Sequence, residues 1–316
     1  MLKTYLVPAS LLAIAIAFFI GFFFLNGFTT KRDPVDFNSQ VLNVLDATGQ
    51  IVQLRKPAQR VISLAPDTTE LLFAIGAGDK IVGVLDGHLY PKAAEKITKV
   101  GSFSGLDLEK IIALKPDLIV TWHYGFARQM NALKRLNIPV YETAPKHLAD
   151  IAKTAEDLGK LIGAETKGKK FAQVFTQKID AIRKTYQGKQ LIRVFYQIGS
   201  GPPLTINKES WINDVIELCG GRNSFASLPT LVPELDLEAI IQKNPQVMIT
   251  DSAPGWDARW LKWTMIDAIQ HHRLFLIPAD FIDRAGPRLL QGIVIMCRCI
   301  DAGRESGKKI KGSFNP

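Results

Sequence analysis

Short apolar runs at 60–65, 81–85, 119–121 and 140–142 read as buried strands, and the intervals between them carry helical spacing. Ahead of them, Val41–Leu45 and Ile51–Leu54 alternate about the turn Asp46–Gly49 and predict a hairpin. Pro66 ends the first buried strand. Asp67, Thr68 and Thr69 then offer caps for a helix carrying Glu70, Leu71, Leu72 and Ile75, which Gly76 and Gly78 stop. From Thr166 to Tyr186 one helical pattern dominates, with Phe171, Val174, Phe175, Ile179, Ile182 and Tyr186 spaced to line one face. Such a helix spans about 30 Å, the width of a small lobe. A second alternating set starts at 193–198, passes through Trp211–Cys219, and closes with 274–277 and a terminal helix after Pro287. Alternation of this kind predicts parallel sheets covered by helices. The chain is therefore expected to be α/β, with two Rossmann-like lobes joined by one long helix.

The two lobes repeat a motif. Leu106-Asp107-Leu108-Glu109-Lys110-Ile111-Ile112, running on to Pro116 and Ile119, returns as Leu235-Asp236-Leu237-Glu238-Ala239-Ile240-Ile241, running on to Pro245 and Ile249. Each copy predicts a short helix with an aspartate N-cap, Asp107 or Asp236, and a glutamate on the first turn. A first-turn carboxylate interacts well with the helix dipole and needs no partner. Its repetition at a constant offset suggests a matched pair, Glu109 and Glu238, facing a two-lobed docking partner.

The organisation expected is a membrane anchor or uncleaved signal over 1–30, a first lobe over 41–164, a bridging helix over 165–188 and a second lobe over 189–312. Leu6 to Phe28 is apolar and long enough for a bilayer, which takes about 20 residues. No small-x-small cleavage site closes it and no cysteine follows for lipid attachment, so an anchor is favoured and the body is exported.

With 316 residues, 47% hydrophobic and 22% charged, the chain can bury two ordinary cores. The net charge of +9 is scattered, without a basic stripe or a nucleic-acid module, and reads as solvated surface. That excludes nucleic acid as the expected partner and leaves an anionic membrane surface or acidic ligand open. Cys219, Cys297 and Cys299 suit an oxidising compartment with one disulfide and one spare thiol, and match no zinc spacing. Only one of Cys297 and Cys299 can readily meet Cys219; three inert buried thiols are the alternative.

Loops at the carboxyl ends of parallel strands gather ligands. Here they carry Pro66, Asp67, His88, Tyr90, Phe103, Trp122, His123 and Tyr124 on the first lobe. On the second they carry Gly199 to Leu204, Val232, Trp256, Asp280, Phe281 and Arg284. The expected cleft is aromatic with a few polar anchors. No P-loop, nucleophile elbow, zinc helix or dinucleotide glycine signature follows a strand, so neither catalysis nor a bound cofactor is expected. His123 stands as a candidate metal or haem ligand against the plainer reading of an unremarkable loop histidine. Asp280 and Arg284, in a stretch that reads as loop, can pair with each other or hold polar groups of a ligand.

Taken together, Arg60-Val61-Ile62-Ser63-Leu64-Ala65-Pro66, Thr69-Glu70-Leu71, Leu108-Glu109, Leu114-Lys115-Pro116-Asp117-Leu118-Ile119, Lys208-Glu209-Ser210, Cys219-Gly220-Gly221 and Arg284-Ala285-Gly286-Pro287-Arg288 resemble a known family. It is that of the substrate-binding proteins of cobalamin and ferric-siderophore ABC importers, its cobalamin branch above all. The resemblance covers nearly everything from Val41 to the last helix. It implies a rigid helical backbone between lobes, limited closure and no chemical reaction. It implies that Glu109 and Glu238 dock onto arginines of an ABC permease that works with ATPase subunits, and that Cys219 pairs with Cys297, leaving Cys299 free. It also implies a monomer in the periplasm, tethered to the inner membrane if the anchor stays.

For the ligand it implies contacts from Trp122, Asp280 and Arg284, with Tyr90 close to another and Phe103 at a further contact position. Phe103 and Val232 stand where that branch has tryptophans, and Gly87 and Ile198 where it has aromatics. Losing an aromatic contact costs ~0.5–1.5 kcal/mol beyond area, so several such changes weaken binding by roughly a hundredfold. Cobalamin or a related corrinoid is the expected transported ligand. The other readings are a haem receptor, with Tyr90, Tyr124 or His123 as axial ligand, a ferric-siderophore receptor, and a chelatase-like enzyme of similar fold.

Overall fold

The computed structural model describes residues 41–305, apart from 88 and 252–254. The expected anchor over 1–30 lies outside the described residues, as does the end of the chain beyond 305. Among the described residues no helix is long and apolar enough to cross a membrane.

A hairpin of β1 (Leu42–Leu45) and β2 (Ile51–Leu54) opens the body, with Val44 opposite Val52 and the turn held by Asp46 Oδ1, which accepts the amides of Thr48 and Gln50. Then follow β3 (Val61–Ser63), α1 (Pro66–Ala74), β4 (Ile81–Val84), a ribbon of β5 (Gly101–Ser102) and β6 (Gly105–Leu106), and α2 (Leu108–Ala113). β7 (Leu118–Trp122), α3 (Ala127–Arg135), β8 (Val140–Thr143) and α4 (Leu148–Ile162) complete the first half. α5 (Glu165–Tyr186) leads into the second. There β9 (Ile192–Gln197), α6 (Trp211–Leu218), β10 (Gly221–Asn223), α7 (Leu237–Lys243), β11 (Val247–Thr250), α8 (Asp267–Gln270), β12 (Leu274–Leu276), α9 (Ala279–Ile282) and α10 (Leu289–Arg304) follow in turn. Two parallel four-stranded sheets result, ordered β4-β3-β7-β8 and β10-β9-β11-β12.

The repeat reaches down to single dihedrals. β7 and β11 occupy the same place in their sheets, each fed by its duplicate helix. Asp107 caps α2 by accepting the Lys110 amide at 2.9 Å, and Asp236 caps α7 by accepting the Ala239 amide at 2.8 Å. Ile111 and Ile240 are both fully buried. Both helices end in a left-handed residue before proline, Lys115 at φ 47° and Asn244 at φ 42°. Arg60 Nε then donates to the Leu114 carbonyl and Arg193 Nε to the Asn244 carbonyl, each at 2.9 Å, satisfying a carbonyl the helix leaves unpaired.

Strand residues alternate between two apolar layers, as expected of sheets covered on both faces. Val61, Leu118, Val194 and Ile249 point inward, into a core that also takes Ile151 and Leu158 of α4, Phe175 and Ile179 of α5, and Ile216 and Ile293 of the second half. This core is continuous from one sheet to the other. Ile62 and Ile119 face an outer layer with Met130 and Leu133 of α3, while Phe195 and Met248 face another with Trp256 and Trp260. α4 and α5 approach closely: a Cβ on Gly168 would stand 2.5 Å from the Ala155 carbonyl oxygen. A disulfide joins Cys219 at the end of α6 to Cys297 of α10, and Cys299 is free and buried.

Three local expectations are corrected. Pro66 is the first residue of α1, where its missing N–H costs nothing, so Asp67, Thr68 and Thr69 lie inside the helix rather than capping it. The Thr68 and Thr69 hydroxyls instead donate back to the Ala65 carbonyl. Val174 is exposed, because the buried stripe of α5 runs through Gly168, Ala172, Phe175 and Ile179, one position round the helix. The stretch around Asp280 is a helical turn, α9, rather than loop.

Candidate ligand-binding site

In each half the duplicate helix runs antiparallel to the strand it feeds, so its N-terminus lies at the carboxyl edge of the sheet. That edge carries the loops expected to bind a ligand. Glu109 and Glu238 therefore occupy matching positions at the two carboxyl edges, and both are exposed.

An ion network built on Glu70 joins the halves there. Glu70 lies among the buried residues Thr68 to Leu72 of α1, and its side chain is 1% exposed. A carboxylate buried that far requires partners. Arg284 Nη1 donates to Oε1 at 3.0 Å, while Arg288 donates through Nε to Oε2 at 3.0 Å and through Nη2 to Oε1 at 2.7 Å, the planar fork that guanidinium offers a carboxylate. Both arginines come from the segment between α9 and α10, so the contact spans the two halves. Arg284 Nη2 lies 2.7 Å from Asp280 Oδ1, and the Arg288 guanidinium covers the Tyr90 ring at 4.4 Å. Gly286 sits against the backbone of Asp67, and burial at this seam pushes the Asp67 carboxyl up to about 6 against the pull of the Thr68 amide.

A second cross-contact lies at Asp214 of α6. Its Oδ2 accepts the Leu148 amide at 3.0 Å, capping α4 from the other half, and the carboxylate also meets His147 Nδ1 at 3.2 Å. Behind Arg284, Tyr196 Oη stands 3.2 Å from Asp251 Oδ2 and 3.1 Å from Asp283 Oδ1. Protein packed around the carboxyl and the adjacent Asp251 charge push Asp283 up to about 7, although the residue as a whole is exposed. Burial raises Asp251 as well, and lifts the Tyr196 hydroxyl far above its usual range.

Several rings of the first half find no burial. Phe103 is 69% exposed at the β5–β6 turn and Trp122 is 41% exposed at the end of β7; Tyr90 and Tyr124 are exposed too. Trp122 and His123 each meet Tyr124 edge-on, with centroids at 5.6 and 5.2 Å. Tyr90, Asp280 and Arg284 are thus brought together around Arg288. Trp122 and Phe103 have no ring contact with that cluster among the described residues. Val232 is exposed. Trp256, expected in the cleft, is instead buried with Trp260 against the outer face of the second sheet, because the chain after β11 folds back over Phe195 and Met248. His88 lies outside the described residues.

The sequence reading assigned no role to Glu70 or Arg288. A glutamate enclosed by Thr68, Thr69, Leu71 and Leu72 on a helix face was the available signal, since a charge there demands a cation from elsewhere in the fold. Among the described residues no cluster of three or more metal-ligating side chains forms.

The periplasmic binding protein family matches residues 61–280. The vitamin B12-binding protein of Vibrio parahaemolyticus is 34% identical over 250 residues, covering 78% of this chain and 91% of that relative. The crystal structure of the periplasmic vitamin B12 binding protein BtuF of Vibrio cholerae superposes with a TM-score of 0.72 at 33% identity, covering 79% of this chain and 99% of that one. The apo periplasmic heme-binding protein RhuT from Roseiflexus shares the fold, with a TM-score of 0.68 at 22% identity over 78% of this chain and 99% of its own. Given the match over 61–280, the identity to curated relatives and the pair of parallel sheets, this chain belongs to the periplasmic binding protein family.

Proposed function

We propose that the chain is the extracytoplasmic substrate-binding protein of an ABC importer, and that it captures cobalamin or a related corrinoid between its two halves. Names of the relatives at about a third identity support the ligand class. The observation that carries the reading is the pair of exposed glutamates, Glu109 and Glu238, on duplicate helices at the edge where both sheets present their loops. A two-lobed permease reads such a pair with two like cations. Trp122, Phe103 and Tyr90 cover apolar faces of the macrocycle, while Asp280 and Arg284 meet its polar periphery. The apolar segment at 6–28 tethers the body to the outer face of the inner membrane.

The chain so described binds its cargo and hands it over, and catalyses no turnover of it. Calorimetric titration of the full-length chain with cobalamin, cobinamide, haemin and a ferric hydroxamate tests this. Stoichiometric binding of a corrinoid, recovered unchanged, is expected. Preference for haemin or the hydroxamate, or turnover of the corrinoid, overturns it.

A further inference from the structure

The outer face of the second sheet carries two arginines side by side. Arg193 on β9 and Arg222 on the edge strand β10 are direct partners in the parallel register, and Phe195, two residues on from Arg193, packs in the outer layer and so marks the face they share. Like charges placed opposite each other on one face repel. With Lys243 of α7 and with Ser224, Ser227 and Gln242 they line a cavity of about 420 Å³, whose lining holds no aspartate or glutamate. Arg193 Nε donates to the Asn244 carbonyl, and Lys243 stands on the last turn of α7, where the helix dipole favours a cation. Neither hydrogen bond nor ion pair engages the side chains of Arg222 and Lys243 among the described residues. Ser224 Oγ is buried without a hydrogen-bond partner, an unfavourable state for a hydroxyl.

The duplicate half differs at this place. After the repeated proline the first half has Asp117, whose carboxylate accepts the amides of Gln59 and Arg60 at 2.8 and 2.9 Å. The second half has Gln246, whose neutral Oε1 accepts the Arg193 amide at 3.1 Å. One half thus sets a negative charge beside its arginine, and the other sets a second arginine there. Closing the end of α7 takes one guanidinium, which Arg193 supplies; Arg222, Lys243 and the unpaired hydroxyl of Ser224 are left over. We propose that this cavity is a binding site for a phosphate-class oxyanion, free or carried on a lipid headgroup. Two guanidinium forks and an ammonium match the charge and the several oxygens of such a group, and Ser227 and Gln242 add neutral donors. Lys243 and Glu238 stand at opposite ends of α7, so the site is at the amino edge of the sheet, away from the cleft. Its occupation does not compete with cargo.

Inorganic phosphate is one probe and neutral-detergent micelles doped with phosphatidylglycerol the other, each titrated by calorimetry into the full-length chain at constant ionic strength. Saturable binding at one site per chain is expected. Arg222→Gln combined with Lys243→Gln, both at exposed positions outside the cargo site, weakens it by at least about tenfold and leaves the corrinoid dissociation constant within about twofold. Without phosphate this variant unfolds at the wild-type temperature or above, because repulsion beside Arg193 is relieved; with saturating phosphate only the wild type gains stability. Binding of inorganic phosphate assigns the free ion. A doped-micelle response that is lost in the variant, without one to inorganic phosphate, assigns the headgroup, and either result upholds the site. Equal stabilisation by chloride at the same ionic strength, a response that survives in the variant, or no binding of either probe overturns it.

Discussion

Arg288 holds Glu70 by two parallel N–H···O bonds, of 3.0 and 2.7 Å, across the seam between the two sheets. Glu70 has almost no contact with water, so the pair owes its position to mutual neutralisation and not to solvent.

Removing one partner leaves the other charge buried. Glu70→Ala is expected to destabilise the chain by about 3 kcal/mol or more, because Arg284 and Arg288 lose their shared counter-ion. Denaturant unfolding measures this; a loss under ~1 kcal/mol would show that water replaces the carboxylate.

The twin glutamates are exposed and lie outside the ion network. Glu109→Ala and Glu238→Ala should leave the corrinoid dissociation constant within about twofold, while each lowers uptake by about tenfold in cells carrying the permease. Parallel loss of affinity and uptake would place these residues at the ligand instead.

Trp122→Ala is expected to weaken corrinoid binding by about tenfold, through lost area and ring contact. Phe103→Trp should tighten it severalfold, since the larger ring extends the wall at an open position. Calorimetry reads both, and a tryptophan that weakens binding would mean Phe103 does not face the cargo.

The pH dependence follows from Asp283. Its carboxyl in the fold titrates near 7, against about 3.9 when unfolded, so between those values the folded chain holds more protons. The contribution of this group to stability then declines as pH rises from about 4 to about 7, and levels off above. Asp251 and Tyr196 face the group directly and Arg284 opposes part of the shift. Asp283→Asn should flatten this part of the profile, as measured by urea midpoints at about pH 5 and about pH 8. A wild-type slope that persists in the variant places the titration elsewhere.

Cys219 and Cys297 close a loop of 78 residues. Replacing both with serine is expected to cost about 4.5 kcal/mol on the chain-entropy account. Thermal unfolding with and without reductant reports it; unchanged stability on reduction would show the bond adds nothing to an already tied core.

Much of the architecture was legible because it repeats. The duplicate motif at 106–119 and 235–249 located both central strands, both capped helices and both glutamates, and the structure carries the likeness to Lys115 and Asn244. The bridging helix was legible from its spacing, although Val174 beside Phe175 blurred which face is buried. α4 was legible only as a helix after His147, without bounds, since Leu148–Ile162 runs almost directly into α5 and the packing of the two depends on Gly159 and Gly168, which carry no pattern of their own. At the site, Tyr90, Asp280 and Arg284 were legible as residues near strand ends, although Asp280 lies on α9 and not in a loop. Their meeting with Glu70 was not, because Glu70 and Arg288 are 218 residues apart and only the tertiary fold pairs them. Trp256 was misplaced for the converse reason: an indole after a strand suits a mouth or a back wall equally, and packing alone decides.

The unbroken apolar core beneath the seam bears on how cargo leaves. Prising the halves apart would strip Phe175, Ile179 and their neighbours of their contacts, at about 25 cal/mol for every square ångström of apolar surface wetted. A receptor built this way springs open only under load. In the proposed importer, capture runs downhill unaided, and the mechanical effort of hand-over must come from the nucleotide-driven machinery in the membrane.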